Sequence, residues 1–334
     1  MFGSANTNVF TQVGGASSMV TVNIDDIGFN YSGTPVLKGI SMEFGGPQLI
    51  SILGPNGVGK STFIHCLNKI LVPSGSVLID GSDVSEMSLK EVAKEIGYVP
   101  YTSNDTFPLT VMDTVLLGRH PHASWKMTDA DLEKVQTVLE KLGINDLAMR
   151  YTDELSAGQH QKVMLARGLV QEPKILMLDE PTSNLDVRHQ LGITRYLRRL
   201  TREEGLTVVM ISHDLNIAAK YSDSVVMMKS GGLFAIGTPE DTITEENILS
   251  VYGVHSHVIT DEGRPHVILR DPENMDCPLL IEEHYCVRKG RFHEWIFSGA
   301  QCLWHVYCQK IRVHSRLRGP FNHWGGVDLC GRNT

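Results

Sequence analysis

One stretch of the chain has the residue types and spacing of a loop that binds phosphate. Eight consecutive residues fit the pattern G-x-x-x-x-G-K-[ST]: Gly54, Pro55, Asn56, Gly57, Val58, Gly59, Lys60 and Ser61. Glycines let backbone N–H groups converge on phosphate oxygens, and the start of a following helix adds partial positive charge. Lys60 is expected to reach the β- and γ-phosphates of a nucleotide, and the Ser61 hydroxyl to bind Mg²⁺. The alternative is a glycine turn that binds no phosphate and carries an exposed lysine.

Two adjacent acids follow the apolar run Ile175–Leu178. The run predicts a buried strand whose end lies beside the phosphate loop. At that end Asp179 could hold Mg²⁺, through water, and Glu180 could polarise the water that attacks the γ-phosphate. The alternative is a pair of acids that only caps a buried strand.

Two further positions could serve the same chemistry. Ser156 and Gln159 have the spacing of a capping box before an apolar helix, and a capped helix start with small residues is also an anion site. The pattern alone leaves capping and phosphate contact equally open. His213 follows the strand-like run Thr207–Ile211, and a lone histidine there is usually incidental.

The elements around these residues indicate an α/β domain with a mostly parallel sheet. Residues 20–44 alternate apolar runs with turn residues, which is typical of a small antiparallel β region. Later strand-like runs alternate with helical stretches, and a helix is expected from about Lys60. The runs are Leu49–Leu53, 77–79, Ile96–Val99, Ile175–Leu178, Thr207–Ile211 and 225–228. A helical block precedes the acid-tipped strand. Within it, Thr128 and Asp131 predict a capped start for a helix that places four apolar residues on one face: Leu132, Val135, Leu139 and Leu142.

Composition excludes several classes of protein. The 334 residues carry 30 Lys and Arg against 38 Asp and Glu, a net charge of −8, which argues against a nucleic-acid partner. No apolar run reaches the roughly 18 residues that span a bilayer, which excludes a membrane channel. The first basic residue is Lys38, so we expect no signal peptide.

The fixed order of these motifs resembles the nucleotide-binding subunits of ABC transporters. Segments of this chain match that family's Walker A, signature, Walker B, D-loop and switch histidine. The signature match is 155–159, the D-loop match is 183–186, and the likeness extends over residues 20–273. The resemblance implies an α/β P-loop NTPase (RecA-like) core with an N-terminal antiparallel β region and a helical signature subdomain at about 101–170.

The resemblance also assigns roles to residues. Glu180, His213 and Lys60 would be catalytic, and Ser61 and Asp179 would hold Mg²⁺. Tyr31 would stack on adenine. The remaining ATP contacts would be Gly54, Pro55, Asn56, Gly57, Val58, Gly59, Lys60, Ser61, Thr62, Ser156, Gly158, Gln159 and Asp186.

Within the family, the segments 109–111 and 117–122 look most like ATPases that energise uptake of iron(III) chelates, haem or cobalamin. The family mechanism implies a homodimer that sandwiches two ATP molecules, each between the Walker A of one subunit and the signature of the other. The dimer would drive transmembrane permease subunits from the cytoplasmic face of the membrane, as a peripheral subunit, and would serve an extracellular substrate-binding protein indirectly. The alternatives are a soluble ABC-type ATPase without a permease and a metal-binding protein centred on the C-terminal residues.

Two residues depart from the family pattern. Tyr101 stands where the family usually has a glutamine that approaches Mg²⁺ and water, which puts that contact in doubt, although Asn104 could partly substitute. Ala157 replaces a glycine, and such a methyl-sized change should be tolerated.

The two ends of the chain differ from its centre. Residues 1–19 indicate a flexible lead, and Met19 could be the true start. Residues 274–334 hold five of the six cysteines, with the closest metal-like spacing at Cys302, His305 and Cys308. Structural metal, a small regulatory domain and a poorly ordered or non-native tail all remain open, and the composition favours the last.

Overall fold

The computed structural model describes residues 20–101, 108–122 and 127–270. The expectations for the lead at 1–19, for Asn104 and for the tail at 274–334 lie outside the described residues.

Twelve strands form within the described ranges. They are β1 (Thr21–Tyr31), β2 (Thr34–Gly45), β3 (Leu49–Leu53), β4 (Ser74–Ile79), β5 (Ser82–Asp83), β6 (Ile96–Val99), β7 (Ile175–Leu178), β8 (Thr207–Ile211), β9 (Ser224–Lys229), β10 (Gly232–Gly237), β11 (Ser256–Asp261) and β12 (Arg264–Leu269). The same ranges contain nine α-helices. They are α1 (Lys60–Leu67), α2 (Leu89–Glu95), α3 (Val111–Leu116), α4 (Asp129–Leu142), α5 (Ala157–Leu169), α6 (Val187–Glu203), α7 (Leu215–Tyr221), α8 (Pro239–Thr242) and α9 (Glu245–Tyr252).

A six-stranded sheet forms the centre of the fold, in the order β10-β9-β3-β8-β7-β6. Only the edge strand β10 is antiparallel to its neighbour; the other pairs are parallel. Strands β3, β7 and β8 are apolar or small throughout and buried along their whole length, because both faces of the sheet are covered. The parallel sheet predicted from the sequence is confirmed. Its parallel strands bring the residues that follow β3, β6, β7 and β8 to one edge.

A second, antiparallel sheet has the order β2-β1-β4-β5 and covers one face of the centre. The predicted antiparallel region at residues 20–44 is confirmed as β1 and β2. The run at 77–79, which we grouped with the strands of the parallel α/β pattern, instead lies in β4 and pairs antiparallel with β1. Burial alternates along β4, as it does where one face of a sheet is solvated.

Helices α3, α4 and α5 lie between β6 and β7 along the chain and pack on the other face of the central sheet. The capping box at Thr128 and Asp131 starts α4 as predicted. The predicted apolar face needs one correction, because Leu132 is exposed while Val135 and Leu139 are fully buried. Asp131 takes the buried position instead, since its carboxylate accepts a hydrogen bond from Arg119 at 2.9 Å inside the block. No helix in the described part of the chain is long and apolar enough to cross a membrane.

Candidate functional site

The phosphate loop lies between β3 and α1, at the edge where the parallel strands end. Gly59 is the residue before α1 and has a φ of 101°, a left-handed conformation that glycine adopts without strain. A Cβ at Gly59 would lie 2.9 Å from the Leu37 side chain, so β2 packs directly against the loop. Because Gly59 has no side chain to cap the helix, the first N–H groups of α1 stay available to an anion.

Lys60 is buried, and its ammonium lies across the loop. Its Nζ donates hydrogen bonds to the carbonyl oxygens of Gly54 at 2.7 Å and Pro55 at 2.9 Å. Burial lowers the pKa of Lys60, and the nearby carboxylates of Glu180 and Asp179 oppose that shift. The loop thus holds a buried positive charge at the place where the sequence predicts phosphate.

Asp179 follows β7 and is also buried. Its pKa is raised by burial and by the neighbouring Glu180 carboxylate, and lowered by a hydrogen bond from the Ser61 hydroxyl. The Oδ1 atom of Asp179 is buried and accepts no hydrogen bond from any described residue. A buried carboxylate oxygen without a partner, beside a serine hydroxyl, suits a hard divalent cation, because such cations prefer oxygen ligands.

Glu180 connects the end of β7 to the end of β8. Its Oε1 lies 2.5 Å from His213 Nε2, and its Oε2 accepts a hydrogen bond from the Ser183 hydroxyl at 2.8 Å. The neighbouring strands β7 and β8 bring His213 to Glu180. We call Lys60, Ser61, Asp179, Glu180 and His213 the phosphate cluster.

The signature residues lie elsewhere in the fold, at the start of α5. Ser156 and Gln159 form the predicted capping box: Ser156 N donates to Gln159 Oε1 at 3.0 Å, and Gln159 N donates to Ser156 Oγ at 3.4 Å. Gly158 is buried beneath the ring of His189, which is held by Asp186. We call Ser156, Gly158, Gln159, Asp186 and His189 the signature cluster.

Tyr31 ends β1, in the hairpin whose second strand touches the phosphate loop. Its ring is half exposed and meets the edge of Phe29, with ring centroids 4.9 Å apart. An exposed aromatic face offers a flat surface on which a base could stack.

Tyr101 follows β6 and is also half exposed. Its hydroxyl accepts a hydrogen bond from Asn184 Nδ2 at 3.2 Å. Tyr101, which stands where the family usually has a glutamine, thus contacts the loop that precedes Asp186.

Some contacts in and around these clusters were not predicted from the sequence. Ser183 bonds Glu180, His189 joins Asp186 to Gly158, and the Tyr98 hydroxyl shares a 2.8 Å hydrogen bond with His65 beside Asp179. Ser183 and His189 each lie three residues beyond a predicted site residue, which is a weak local signal. The His65–Tyr98 contact joins α1 to β6 and has no signal in the sequence.

Comparisons with known proteins find several relatives of this chain. The family model described as ABC transporter matches residues 37–183. An uncharacterized ABC transporter ATP-binding protein of Methanocaldococcus jannaschii is 43% identical over 252 residues, which are 75% of this chain and 98% of that protein. The hemin import ATP-binding protein of Escherichia coli O157:H7 is 36% identical and covers 79% of this chain and 100% of its own length.

Two more similarities bear on what relatives transport. A phosphonates import ATP-binding protein of Oceanobacillus iheyensis is also 36% identical, over 70% of this chain and 96% of its own length. Among solved structures, a metal-chelate type ABC transporter in an inward-facing conformation matches with a TM-score of 0.67 and 25% identity, over 75% of this chain and 98% of that one. Similarity of sequence alone therefore does not separate these substrates.

Proposed function

The chain belongs to the family of ABC transporter ATP-binding proteins, which hydrolyse ATP, and we propose that it powers an importer for haem, an iron(III) chelate or cobalamin. The observation that carries the ATPase part of the proposal is the phosphate cluster, and the substrate class rests on the 36% identity to a hemin import ATP-binding protein. The phosphate cluster joins a buried lysine, a buried aspartate with one unpartnered oxygen and a glutamate–histidine pair at the edge of one parallel sheet.

In the proposed mechanism the phosphate loop binds the phosphates of ATP. The N–H groups at the start of α1 and the Lys60 ammonium bind phosphate oxygens, since both carry positive charge. Ser61 and Asp179 would hold Mg²⁺, which when bound neutralises charge on the β- and γ-phosphates. Tyr31 would stack on the adenine.

Glu180 would act as the base. Its Oε1 oxygen would accept the proton of the attacking water, while His213 keeps the carboxylate turned toward the end of β8. The Ser183 hydroxyl holds the other oxygen at 2.8 Å, so both oxygens are oriented before ATP binds. Such orientation favours proton transfer because little reorganisation remains.

The signature cluster would serve the nucleotide of a second subunit. The first N–H groups of α5 carry partial positive charge, and they would face the γ-phosphate of the partner's ATP. The closed dimer would move attached permease subunits at the cytoplasmic face of the membrane, and hydrolysis would reopen it.

Three exposed apolar side chains on two linked segments, here called the apolar patch, support the permease contact. Ile70 and Val72 follow α1 and are 56% and 73% exposed, and Leu89 at the start of α2 is 68% exposed. Lys69 ties these two segments together through hydrogen bonds to the carbonyls of Ser85 and Met87. Neighbouring exposed apolar side chains of this kind mark interaction surfaces.

The test is reconstitution with transmembrane permease subunits from the same organism. We expect ATP hydrolysis to be stimulated by the permease and to drive uptake of haem, an iron(III) chelate or cobalamin. Uptake of phosphonate instead would contradict the substrate assignment. Basal hydrolysis without any association with a permease would favour the soluble ATPase.

A matched pair of variants tests the apolar patch. Leu89→Glu should abolish stimulation by the permease and leave basal hydrolysis unchanged, because it places a charge in the patch and lies outside the phosphate cluster. Leu132→Glu, at an exposed leucine on α4, is the control and should leave both unchanged.

A further inference from the structure

His189 contacts two other members of the signature cluster, Asp186 on one side of its ring and Gly158 on the other. Its backbone N–H donates to Asp186 Oδ1 at 2.8 Å, which caps the start of α6. Its ring Nδ1 lies 2.9 Å from both oxygens of the same carboxylate. An ionised carboxylate can only accept hydrogen bonds, so Nδ1 carries the proton and the ring is fixed over the start of the helix.

The other side of the ring lies against Gly158. A Cβ at Gly158 would lie 2.7 Å from Cδ2 of His189 and 3.0 Å from its Cγ and Nε2. Atoms do not approach so closely, so a side chain at residue 158 and the ring cannot both occupy their present positions. Gly158 is buried, whereas Ser156 and Ala157 before it are exposed.

This contact joins α5, which carries Gly158, to α6, which carries His189. An open pocket of about 410 Å³ lies between the two helices, and the end of α4 also lines it. The α5 side includes Gly158, Lys162 and Leu165, and the α6 side includes His189, Ile193 and Tyr196. The ring therefore bridges the helices at the end of the pocket nearest the signature residues.

We propose that His189 is a positioning residue for ATP-dependent dimerisation. Held by Asp186, its ring sets the distance between the first turn of α5 and the start of α6. It thereby places the N–H groups of the signature turn against the nucleotide of the partner subunit. This inference rests on the proposed sandwich dimer. It assigns a task to a residue outside the nucleotide motifs, which acts through Gly158 and does not itself touch ATP.

The first test measures ATP-dependent dimerisation of the full chain by analytical ultracentrifugation. The parent is Glu180→Gln, which should bind ATP without hydrolysing it. Adding His189→Ala should weaken the dimer about tenfold or more, since a displacement near 1 Å can cost up to about 100-fold where geometry matters. Binding of ADP to the phosphate cluster should stay within about twofold, because that cluster is separate.

His257→Ala is the matched control. His257 Nδ1 lies 2.8 Å from Glu245 Oε1, so it is also an exposed histidine paired with a carboxylate. Its loss should leave dimerisation unchanged. An equal effect of both substitutions, or loss of ADP binding in His189→Ala, would show a general structural role and overturn the proposal.

Two conservative variants separate the ring from its hydrogen bond. His189→Phe keeps a ring against Gly158 and should retain more dimerisation than His189→Asn, which keeps only a donor for Asp186. The reverse order would contradict the proposal, because the hydrogen bond and not the ring would then matter.

A double-mutant cycle tests the packing itself. Gly158→Ala should lower the melting temperature through the clash with the ring, and adding His189→Ala should restore part of it. If the changes in melting temperature caused by the two substitutions simply add, the Gly158–His189 contact does not contribute to stability and the proposal is wrong. If the Glu180→Gln parent forms no dimer with ATP, the proposed function fails and the inference with it. If adding His189→Ala leaves dimerisation of the parent unchanged, the inference is contradicted and the proposed function is not affected.

Discussion

The phosphate cluster and the signature cluster both lie at the start of a helix, but they differ in how complete they are. In the phosphate cluster α1 begins after a glycine that caps nothing, and buried charges from β7 and the loop surround its first turn. In the signature cluster α5 begins with a filled capping box, and Ser156 and Asp186 are exposed. The first cluster has its charges in place for a ligand within one chain. In the second cluster the side chains of the capping box already bond to each other's backbone, and its proposed chemistry requires the nucleotide of a second subunit.

The largest expected effect separates hydrolysis from binding in the phosphate cluster. Glu180→Gln keeps the shape of the side chain and removes the charged base. We expect hydrolysis to fall by about 10²–10⁴-fold, the usual contribution of a general base. ATP binding, measured by titration calorimetry, should persist. Near-normal turnover would remove Glu180 from the role of base.

A large effect on stability is expected from the buried Arg119–Asp131 ion pair inside the helical block that carries the signature residues. Arg119 is buried, and it donates to Asp131 at 2.9 Å and to the Val170 carbonyl at 2.8 Å. Arg119→Met leaves the Asp131 carboxylate without its cation, which should cost about 3 kcal/mol in the free energy of unfolding. Urea denaturation measures this.

The control for Arg119 is an exposed ion pair made by α4, the helix that carries Asp131. Lys141 lies 2.9 Å from Glu204, and both side chains are nearly half exposed. Lys141→Met should cost about 1 kcal/mol or less. Equal losses for the two substitutions would show that burial of the Arg119 pair contributes nothing.

The same buried ion pair gives the stability a dependence on pH. Hydrogen bonds from Thr128 and Arg119 lower the pKa of Asp131 to about 2. Because the pKa is lower in the folded chain than in the unfolded one, this stabilisation is present above the ordinary pKa of about 3.9 and is lost as the pH falls toward 2. Arg119→Met should reduce this pH dependence without abolishing it, because the hydrogen bonds from Thr128 remain.

A smaller effect is expected for the lysine of the phosphate loop. Lys60→Ala removes a charged donor worth about 1.5–3 kcal/mol, so affinity for ATP should fall about 10- to 100-fold. Its hydrogen bonds to the carbonyls of Gly54 and Pro55 are lost as well. Unchanged affinity in equilibrium binding would contradict the phosphate-loop assignment.

The smallest effect concerns the contact between Tyr101 and Asn184, which lies on the loop leading from one cluster to the other. Both residues are exposed, so Tyr101→Gln should change basal hydrolysis only a few-fold, while stimulation by a permease changes more. Tyr101→Phe is the control, since it deletes only the hydroxyl that Asn184 binds. A large rise in basal hydrolysis with Tyr101→Gln would show that the tyrosine impairs the metal site.

The sequence by itself determined the features that depend on neighbours in the chain. The glycine loop, the acids after an apolar run and the capping boxes at Ser156 and Thr128 all follow from spacing within four to eight residues. Such features are local because backbone N–H groups at a helix start can be satisfied by side chains one turn away. The alternation of apolar runs likewise predicted the parallel sheet.

Only the tertiary structure decided which distant residues meet. Glu180 and His213 are 33 residues apart and meet because β7 and β8 are neighbours in the sheet. The buried face of α4 includes Asp131 and excludes Leu132 because Arg119 supplies a partner inside the block. The approach of His189 to Gly158 depends on how α5 and α6 lie across an open pocket. No hydrophobic period or residue spacing in the sequence predicts these contacts, because each is set by the packing of separate elements.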